Sequence, residues 1–443
     1  MKKLSWIAFA LLTVASTASI AQLTSAAEYG MGAIFIYVFP ALVFLLPVSL
    51  VAAELATGWK GGVFEWVQAG LGDRWGFQAI WLQWIQSVTL YPSLLSFAAA
   101  SLAFSIRSQG LAKSGLFTGI VILLIFWGAT LVACRGLHFM SRIANGGLVL
   151  GTIIPVIALV IFMAFWLTSG HQAAVPLEAK NIIPPYKGIS SLVLIIGTFI
   201  AFSGLEVNAV HVRNLEAPRK NYPKALVLAF ILILAIYIPG TLAIATVVPK
   251  HALDLDGGAT QALTAYATGV GVPWLGIALS LALLFGAISS ALTWVAGPSR
   301  GLLELAKEGF LPKIFARTNK YDVQVPLLVG QGILVTVLTL LFVMLPSVSS
   351  AFWVLQSMTV ILYLLMYILL FITVVVLRKK QPDAPRIKAP VLKLVAGVGI
   401  VASVAAILIG FVPPSQFPST LCPYFMWAGL QWESCFLLRL HNF

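Results

Sequence analysis

Apolar residues occur along the chain in long, nearly unbroken runs rather than on one face of short helices or strands. A helix of about 20 apolar residues crosses the ~30 Å hydrocarbon core of a bilayer. Eleven runs have this length, and they lie at 4–25, 33–55, 77–105, 115–134, 144–168, 190–211, 225–248, 273–299, 327–345, 351–377 and 391–412. A twelfth candidate at 420–440 is weak, because it contains Pro423, Glu433 and Arg439. The pattern therefore predicts an all-α polytopic membrane protein with eleven or twelve spans.

The first run is also compatible with a cleaved secretory signal. Met1, Lys2 and Lys3 precede an apolar stretch that ends in small residues, as signal peptides do. The apolar pattern continues through the candidate cleavage site, however, and we interpret the run as the first span.

The composition excludes a water-soluble globular protein. Apolar residues make up 60% of the 443 residues and charged residues only 9%, whereas soluble domains contain about 25% charged residues. Disordered, collagen-like and nucleic-acid-binding chains are excluded on the same grounds. The three cysteines (Cys134, Cys422, Cys435) have no paired spacing and no histidine companions. We therefore expect no disulfide framework, no metal site, no cofactor and no nucleic-acid partner.

The net charge of +13 is distributed asymmetrically between the predicted loops. If the N-terminus is cytoplasmic, 22 of the 27 Lys and Arg residues fall on the inner side. The outer side then holds Arg107, Lys113, Lys180, Lys187 and Lys250. An excess of basic residues in cytoplasmic loops is the usual determinant of orientation. The asymmetry predicts a multi-pass protein of the inner (cell) membrane with a cytoplasmic N-terminus.

Two of the predicted spans contain residues that weaken a helix near the middle of the bilayer. The first span has the small and hydroxylated run Ala15–Ser19, and the sixth has Phe202–Glu206, with a glycine and a carboxylate. Small residues also permit close helix packing, which is an alternative for the first span. A carboxylate at this depth costs roughly 2.5–3.5 kcal/mol on insertion scales. We therefore predict that both spans are broken helices.

The two weak spans each begin a block of five spans, and an odd number of spans gives the blocks opposite orientations. This arrangement predicts a transport core at 1–377, with repeat one at about 4–168 and repeat two at about 190–377. Residues 391–443 would then be accessory helices, the last of them weak or truncated. Inverted repeats of this kind place a substrate site at midplane between two broken helices. Free helix N-termini there favour a carboxylate, and free carbonyls favour an ammonium group.

Several motifs resemble the glutamate/γ-aminobutyrate antiporter branch of the amino acid–polyamine–organocation superfamily. They lie at the matching spans and read Ala53-Glu54-Leu55-Ala56-Thr57 with Gly61-Gly62-Val63-Phe64, Phe202-Ser203-Gly204-Leu205-Glu206 with Ala209, His211, Val212, Pro218 and Tyr222-Pro223, Trp294-Val295-Ala296-Gly297-Pro298-Ser299-Arg300-Gly301, Tyr363 with Tyr367, and Phe411-Val412-Pro413-Pro414. The resemblance covers about residues 1–418. It implies a five-plus-five inverted-repeat (LeuT-like) fold and secondary amino acid antiport by alternating access.

The resemblance also implies roles for individual residues. Glu206 would recognise the substrate or act in proton coupling or gating, Trp294 would form an aromatic wall, and Tyr363 and Tyr367 would line the substrate path. Together with the residues at the two breaks, the candidate substrate-binding set is Ser16, Thr17, Ala18, Ser203, Gly204, Glu206, Trp294, Tyr363 and Tyr367. The alternatives are backbone capping for Glu206, packing for Trp294 and interhelical hydrogen bonding for the two tyrosines.

Two short polar stripes accompany these candidates. Gln356 and Thr359 share one helical face with Tyr363 and Tyr367, and the third span carries the shorter stripe Gln83, Gln86 and Ser93. Polar stripes on membrane helices usually face the protein interior or a water-filled path.

The function is left open between three alternatives. The first is an antiporter for an amino acid or related amine, the second is a proton-coupled uptake permease, and the third is a truncated non-transporting relic. Where the resembling family commonly carries an acid four residues before the tryptophan, this chain has Ser290, so the substrate itself is open. The expected partners are a small-molecule amino acid or amine, protons and the lipid bilayer. No nucleotide-binding loop or catalytic triad indicates an enzyme.

Overall fold

The computed structural model describes residues 5–59, 62–135, 147, 149–186, 188–204, 215–380 and 387–414. These residues form helices connected by turns and short loops. In chain order the helices are α1 (Trp6–Thr17), α2 (Leu23–Ala27), α3 (Ala33–Pro40), α4 (Leu46–Gly58), α5 (Val63–Leu71), α6 (Asp73–Ser105), α7 (Gln109–Ala112), α8 (Gly115–Ala133), α9 (Ile154–Thr168), α10 (Ile196–Ala201), α11 (Pro218–Val247), α12 (Gly258–Gly269), α13 (Pro273–Lys307), α14 (Val325–Thr339), α15 (Leu341–Met344), α16 (Val348–Lys380) and α17 (Ala389–Gly410).

Within the described ranges, nine helical segments are long and apolar enough to cross a membrane. They are Gly30–Gly58, Asp73–Ser105, Gly115–Ala133, Val149–Thr168, Lys220–Val247, Pro273–Lys307, Val325–Met344, Val348–Lys380 and Ala389–Gly410. Each coincides with one of the eleven predicted spans, so the all-helical multi-pass membrane class is confirmed. The first and sixth predicted spans are instead represented by the short helices α1 and α10. The twelfth candidate at 420–440 lies outside the described residues.

Local sequence signals explain where several helices begin and bend. The Ser5 hydroxyl accepts a hydrogen bond from the Ala8 N–H at the start of α1, and the Glu65 carboxylate accepts one from the Gly62 N–H at the start of α5. Such caps satisfy N–H groups that the first helical turn leaves unpaired. Between α3 and α4 the helix widens into a π turn at Ala41–Leu45, directly after Pro40. Proline provides no N–H for the helical ladder, and the wider turn accommodates this gap.

Helix α6 forms the centre of the bundle and α17 lies at its edge. Of the most apolar window of each helix, 89% is buried inside the protein in α6, 72% in α16 and 28% in α17. Helices α13 and α16 pack along α6, while α17 packs against α16 and α4. The interior therefore forms around α6, α13 and α16, and the surface of α17 is left mainly to lipid.

A close backbone approach between spans joins α13 to the π turn Val149–Ile153 that precedes α9. A Cβ atom added at Gly286 would lie 2.5 Å from the Gly151 Cα and 2.8 Å from the Gly151 carbonyl oxygen. Glycines at a crossing let two backbones approach, which is a principal source of helix association in membranes. This contact fixes the distance between the fifth and eighth predicted spans.

We expect Gly286→Ala to lower the thermal stability of the purified protein. The new methyl group meets backbone rather than a flexible side chain. Overpacking of this kind typically lowers the free energy of unfolding by about 1–3 kcal/mol. Gly128→Ala in α8 is the matched control, because a Cβ there meets nothing within 4 Å. Melting curves in detergent measure both variants. Equal melting temperatures for the two variants would contradict the close approach.

Candidate functional site

The first helix break lies at the end of α1. Helix α1 ends at Thr17, and Ala18 (φ −71°, ψ 120°) and Ser19 (φ −136°, ψ 127°) are extended. Helical structure resumes as a 3-10 turn at Ile20–Gln22 and continues as α2. The predicted interruption of the first span is therefore confirmed, and it coincides with the small and hydroxylated run in the sequence.

The second break follows α10. Helix α10 ends at Ala201, and Gly204 has φ +97°, a left-handed conformation that favours glycine. The Gly204 N–H donates a hydrogen bond to the Tyr367 hydroxyl at 3.0 Å. The predicted interruption of the sixth span is confirmed up to this glycine. Glu206 lies outside the described residues.

Tyr237 on α11 joins the two breaks. Its hydroxyl oxygen lies 2.9 Å from the Thr17 carbonyl oxygen and 3.0 Å from the Ala201 carbonyl oxygen, and it accepts a hydrogen bond from the Ser19 N–H at 3.3 Å. Both carbonyls belong to the last residues of their helices, where no intrahelical donor remains. A tyrosine hydroxyl has a single proton. It cannot saturate two carbonyls at once, so the junction retains acceptor capacity for a further donor.

Aromatic rings enclose this junction. The ring centroid of Tyr237 lies 5.3 Å from that of Tyr37 and 6.1 Å from that of Phe202, and Tyr37 and Phe202 are 6.2 Å apart. The Tyr37 hydroxyl lies 3.0 Å from the Thr241 hydroxyl and donates to the Gln22 carbonyl oxygen at 3.3 Å. The three rings hold helices of the first, second, sixth and seventh predicted spans in one cluster. Because the cluster is buried, it excludes water. The electrostatic interactions of the carbonyls at the two helix ends are therefore stronger there than in water.

Helix α16 contacts the second break through Tyr367. The rings of Tyr363 and Tyr367 lie 4.9 Å apart, and Tyr367 contacts the Phe44 ring edge-on at 5.2 Å. Phe44 in turn lies 5.0 Å from Phe199 on α10. Tyr367 therefore contacts both the backbone of the break, through Gly204, and the helix that leads to it.

A polar seam runs between α6 and α16. The hydroxyls of Thr359 and Thr89 lie 2.8 Å apart, and the Gln356 side-chain amide donates to the Gln22 side-chain carbonyl at 3.1 Å. Gln86 precedes Thr89 by three residues and shares its helical face. Both polar atoms of the Gln86 side chain are buried without a hydrogen-bond partner in the described part of the protein. A buried amide without partners costs about 1–3 kcal/mol.

The structure brings part of the predicted set together. Thr17 and Ala18 lie at the first break, Ser203 and Gly204 at the second, and Tyr367 contacts Gly204 directly. The hydroxyls of Thr17 and Ser203 donate to the carbonyls of Thr13 and Phe199 within their own helices, at 2.9 and 2.8 Å.

Two further members of the set are placed differently. Trp294 lies half-buried on α13, and its carbonyl accepts a hydrogen bond from the Tyr91 hydroxyl at 2.8 Å. Its described hydrogen bond thus leads to α6 rather than to either break. Ser16 belongs to α1, and its side chain is not among the described ones.

The sequence reasoning missed Tyr237 and Tyr37. Each is a single tyrosine in an otherwise apolar stretch, and Thr241 follows Tyr237 by one helical turn. A hydroxyl pair one turn apart in an apolar span is a detectable signal. The groups that Tyr237 contacts lie at the breaks of distant spans. The spacing of residues along the sequence does not reveal such contacts.

A buried carboxyl group lies in the loop that follows α11. Asp256 is 3% exposed, and the Ser349 hydroxyl on α16 donates to its carboxylate at 3.3 Å. Burial, followed by the nearby charge of Asp254, raises the pKa of Asp256 to about 7. Helix α12, which begins where this loop ends, reaches α2, because a Cβ added at Gly258 would lie 2.4 Å from the Thr24 side chain. The loop and the start of α12 therefore link the half-helix after the first break to α16.

Nine apolar helices long enough to span a membrane, together with two helix breaks, in the described part of the chain define a multi-pass membrane protein. Residues 4–430 match the family model described as amino acid permease. The chain therefore belongs to the amino acid permease family, within the amino acid–polyamine–organocation superfamily.

Three relatives show which transporters this chain is similar to. An uncharacterized transporter of Legionella pneumophila is 35% identical, with 94% of this chain and 91% of the relative covered. The glutamate/gamma-aminobutyrate antiporter of Lactococcus lactis is 33% identical over 94% of this chain and 85% of its own length. The putrescine transporter PotE of Escherichia coli is 26% identical over 79% and 76%. The family and these relatives are transporters, which supports the expectation that the protein is not an enzyme.

We expect Tyr237→Phe to destabilise the protein more than Tyr266→Phe. The first change removes the one hydroxyl proton that the carbonyls of Thr17 and Ala201 share, at roughly 1–3 kcal/mol for the unsatisfied buried group that remains. The Tyr266 hydroxyl instead donates to the Ala243 carbonyl at 2.7 Å, inside α11 where the helix supplies a second donor. Thermal unfolding in detergent compares the variants. A melting temperature for Tyr237→Phe at or above that of Tyr266→Phe would contradict the bridging role.

We expect the stability of the protein to decrease as the pH rises from about 4 to about 8. The folded pKa of Asp256 is about 7 and its ordinary value is 3.8, so the folded state binds the extra proton in this interval. The associated stabilisation is complete below the unfolded pKa and is lost as the pH passes the folded one. Asp256→Asn should flatten the profile of melting temperature against pH. Glu308→Gln, an exposed acid, should leave the profile unchanged, and an unaltered slope in Asp256→Asn would refute the assignment.

Proposed function

We propose that the protein exchanges amino acids or related amines across the membrane by alternating access, with the substrate bound between the two helix breaks. The observation that carries this proposal is the Tyr237 junction, where two helix ends present carbonyls to one hydroxyl. The functions of two relatives, glutamate/γ-aminobutyrate antiport and putrescine transport, support substrates that carry at least one ammonium group.

The substrate's ammonium group would bind at the carbonyls of Thr17 and Ala201. Carbonyls at the C-terminal ends of helices lie at the negative end of the helix dipole and favour cations. Since Tyr237 donates one proton to two acceptors, an ammonium group could take over one carbonyl without leaving the hydroxyl unpaired. The N–H groups of Ser19 and Gly204 donate to tyrosine hydroxyls in the structure. In the substrate complex they would donate to the carboxylate of the substrate.

The remaining predicted residues take the roles that the resemblance gives them. Glu206 would pair with the ammonium group or take a proton, Trp294 would form a wall of the path, and Tyr363 and Tyr367 would line it. Ser16, Thr17, Ala18, Ser203 and Gly204 would contribute mainly backbone groups. We add Gln86 to this set because its side-chain amide is buried without a partner in the described structure.

The helix packing supports the five-plus-five inverted repeat with boundaries at about 4–168 and 190–377. If each span is exchanged with the span five positions away in the chain, a contact between two spans maps onto a contact between their two counterparts. The α6–α16 contact then corresponds to the contact of α13 with the π turn before α9. The α6–α14 contact corresponds to α13–α8, and the α1–α11 contact to α10–α3. All six contacts are present. Residues 391–443 would be accessory to this core.

The orientation proposal places the N-terminus in the cytoplasm of an inner membrane. It is supported by the distribution of 22 basic residues on one side and five on the other. In this orientation the connection between α13 and α14 lies on the cytoplasmic side. The C-terminal end of α16 near Lys380 and the N-terminal end of α17 near Ala389 lie on the same side. The Asp256 loop then faces the outside.

Exchange in proteoliposomes tests the proposal. Vesicles loaded with one unlabelled compound are supplied with the labelled form outside, for glutamate, γ-aminobutyrate, neutral amino acids, agmatine and putrescine in turn. We expect uptake of at least one compound that requires the loaded substrate and does not require a pH gradient. Uptake that needs only an inward proton gradient would favour the uptake permease instead. The absence of uptake for every amino acid and amine would overturn the proposal.

Glu206 is tested in the same assay. Glu206→Gln retains shape and hydrogen bonding but removes the titration, so transport should fall at least tenfold or lose its pH dependence. Glu308→Gln is the control, since Glu308 is exposed and distant from both breaks. A fully active Glu206→Gln variant with an unchanged pH profile would remove Glu206 from the mechanism.

A further inference from the structure

A cavity of about 170 Å³ lies between the end of α16 and the beginning of α17. It is lined by Val375, Arg378, Lys379, Ala389, Leu392 and Lys393. Each helix contributes residues spaced three and four apart, which is one face of a helix. The described lining of the cavity therefore consists of two facing helix surfaces.

The lining divides into a cationic and an apolar part. Arg378, Lys379 and Lys393 supply three positive charges, while Val375 and Leu392 supply the apolar surface. Arg378 is 14% exposed at its side chain and lies 3.9 Å from the Glu54 carboxylate, which holds it in place. Lys379 and Lys393 are exposed, and neither forms an ion pair with any of the described residues. Two lysine charges thus stand beside an anchored arginine.

The cavity lies beside the exposed surface of α17. Val391 is 45% exposed and Leu394 is 68% exposed, and they flank the cavity residues Leu392 and Lys393 on α17. Exposed aliphatic side chains of this size on a peripheral helix face acyl chains in a membrane. The cationic part lies at the helix ends, where a span meets the headgroup region. An occupant from the lipid phase would therefore reach the apolar part and the charges together.

We propose that this cavity binds the phosphate-bearing headgroup of an anionic phospholipid. Lys379 and Lys393 would contact the phosphodiester oxygens, and the upper acyl carbons would lie against Val375 and Leu392. Basic cavities between membrane helices suit such headgroups, because the charges and the hydrocarbon surface are adjacent. The bound lipid would bridge the end of α16 and the beginning of the peripheral helix α17, in addition to their direct packing.

Lys380 provides an internal contrast on the same helix end. Its ammonium group donates hydrogen bonds to the carbonyls of Ala69 and Gly70 at 2.9 and 3.0 Å, at the C-terminal end of α5. Its charge is therefore used to stabilise the adjacent helix end. Only the lysines that line the cavity are assigned to the lipid.

The test measures lipid retention by the full-length protein purified in detergent. Phosphatidylglycerol and phosphatidylcholine are titrated separately, and bound molecules are counted by native mass spectrometry. We expect tighter binding of phosphatidylglycerol to the wild type. The double variant Lys379→Gln/Lys393→Gln should weaken it about 25-fold, at about fivefold for each lysine near the surface. Lys379→Arg/Lys393→Arg should retain binding, because it retains both charges.

The matched control is Lys313→Gln/Lys320→Gln, which removes the same charge from an exposed loop. This control should bind phosphatidylglycerol like the wild type, and all variants should melt at the same temperature without added lipid. Equal binding by the control and the cavity variant would overturn the proposal. Displacement of the lipid by inorganic phosphate at the same concentration would also overturn it, because it would indicate a site for free anions.

Discussion

A helix that stops inside a membrane leaves carbonyl and N–H groups that lipid cannot satisfy, and this constraint governs the centre of the protein. The two breaks lie in different predicted repeats, yet their terminal carbonyls meet at the Tyr237 hydroxyl. The breaks can exist because α11 supplies that hydroxyl and α16 supplies Tyr367. The same groups that stabilise the breaks leave some hydrogen-bonding capacity unused. A polar ligand can use that capacity.

Rigid and adaptable contacts are separated in the bundle. Helix α6 is almost completely buried, and the Gly151–Gly286 crossing brings backbones together with no side chain that can move aside. Around the breaks, by contrast, the connections are single hydrogen bonds and ring contacts between aromatic side chains. Such contacts can be exchanged one at a time at low cost. The distribution suits a protein whose central helices hold still while the half-helices beside them change partners.

The two ends of the bundle carry different chemistry. At the end that includes the Asp256 loop, a carboxyl group is buried between α16 and the connection to α12, and its protonation depends on burial. At the opposite end of α16, basic side chains cluster beside apolar surface, and Arg378 pairs with the buried Glu54 of α4. Helix α16 therefore connects an acid-sensitive loop, the second break and a cationic cavity. A displacement of this one helix would be felt at all three.

The sequence by itself determined the membrane class, nine of the spans and the positions of both interruptions, because length and hydrophobicity decide what crosses a bilayer and small or polar residues weaken a helix locally. It also indicated the amino acid permease family through motifs at several spans. It did not reveal Tyr237 and Tyr37 beside the two breaks, or the Gln86 amide that has no partner among the described residues. Their importance depends on which distant backbone groups they meet, as with Tyr237 and Thr17, 220 residues apart. Only the packing of the helices decides such contacts, since hydrogen bonds depend on distances of a few tenths of an ångström.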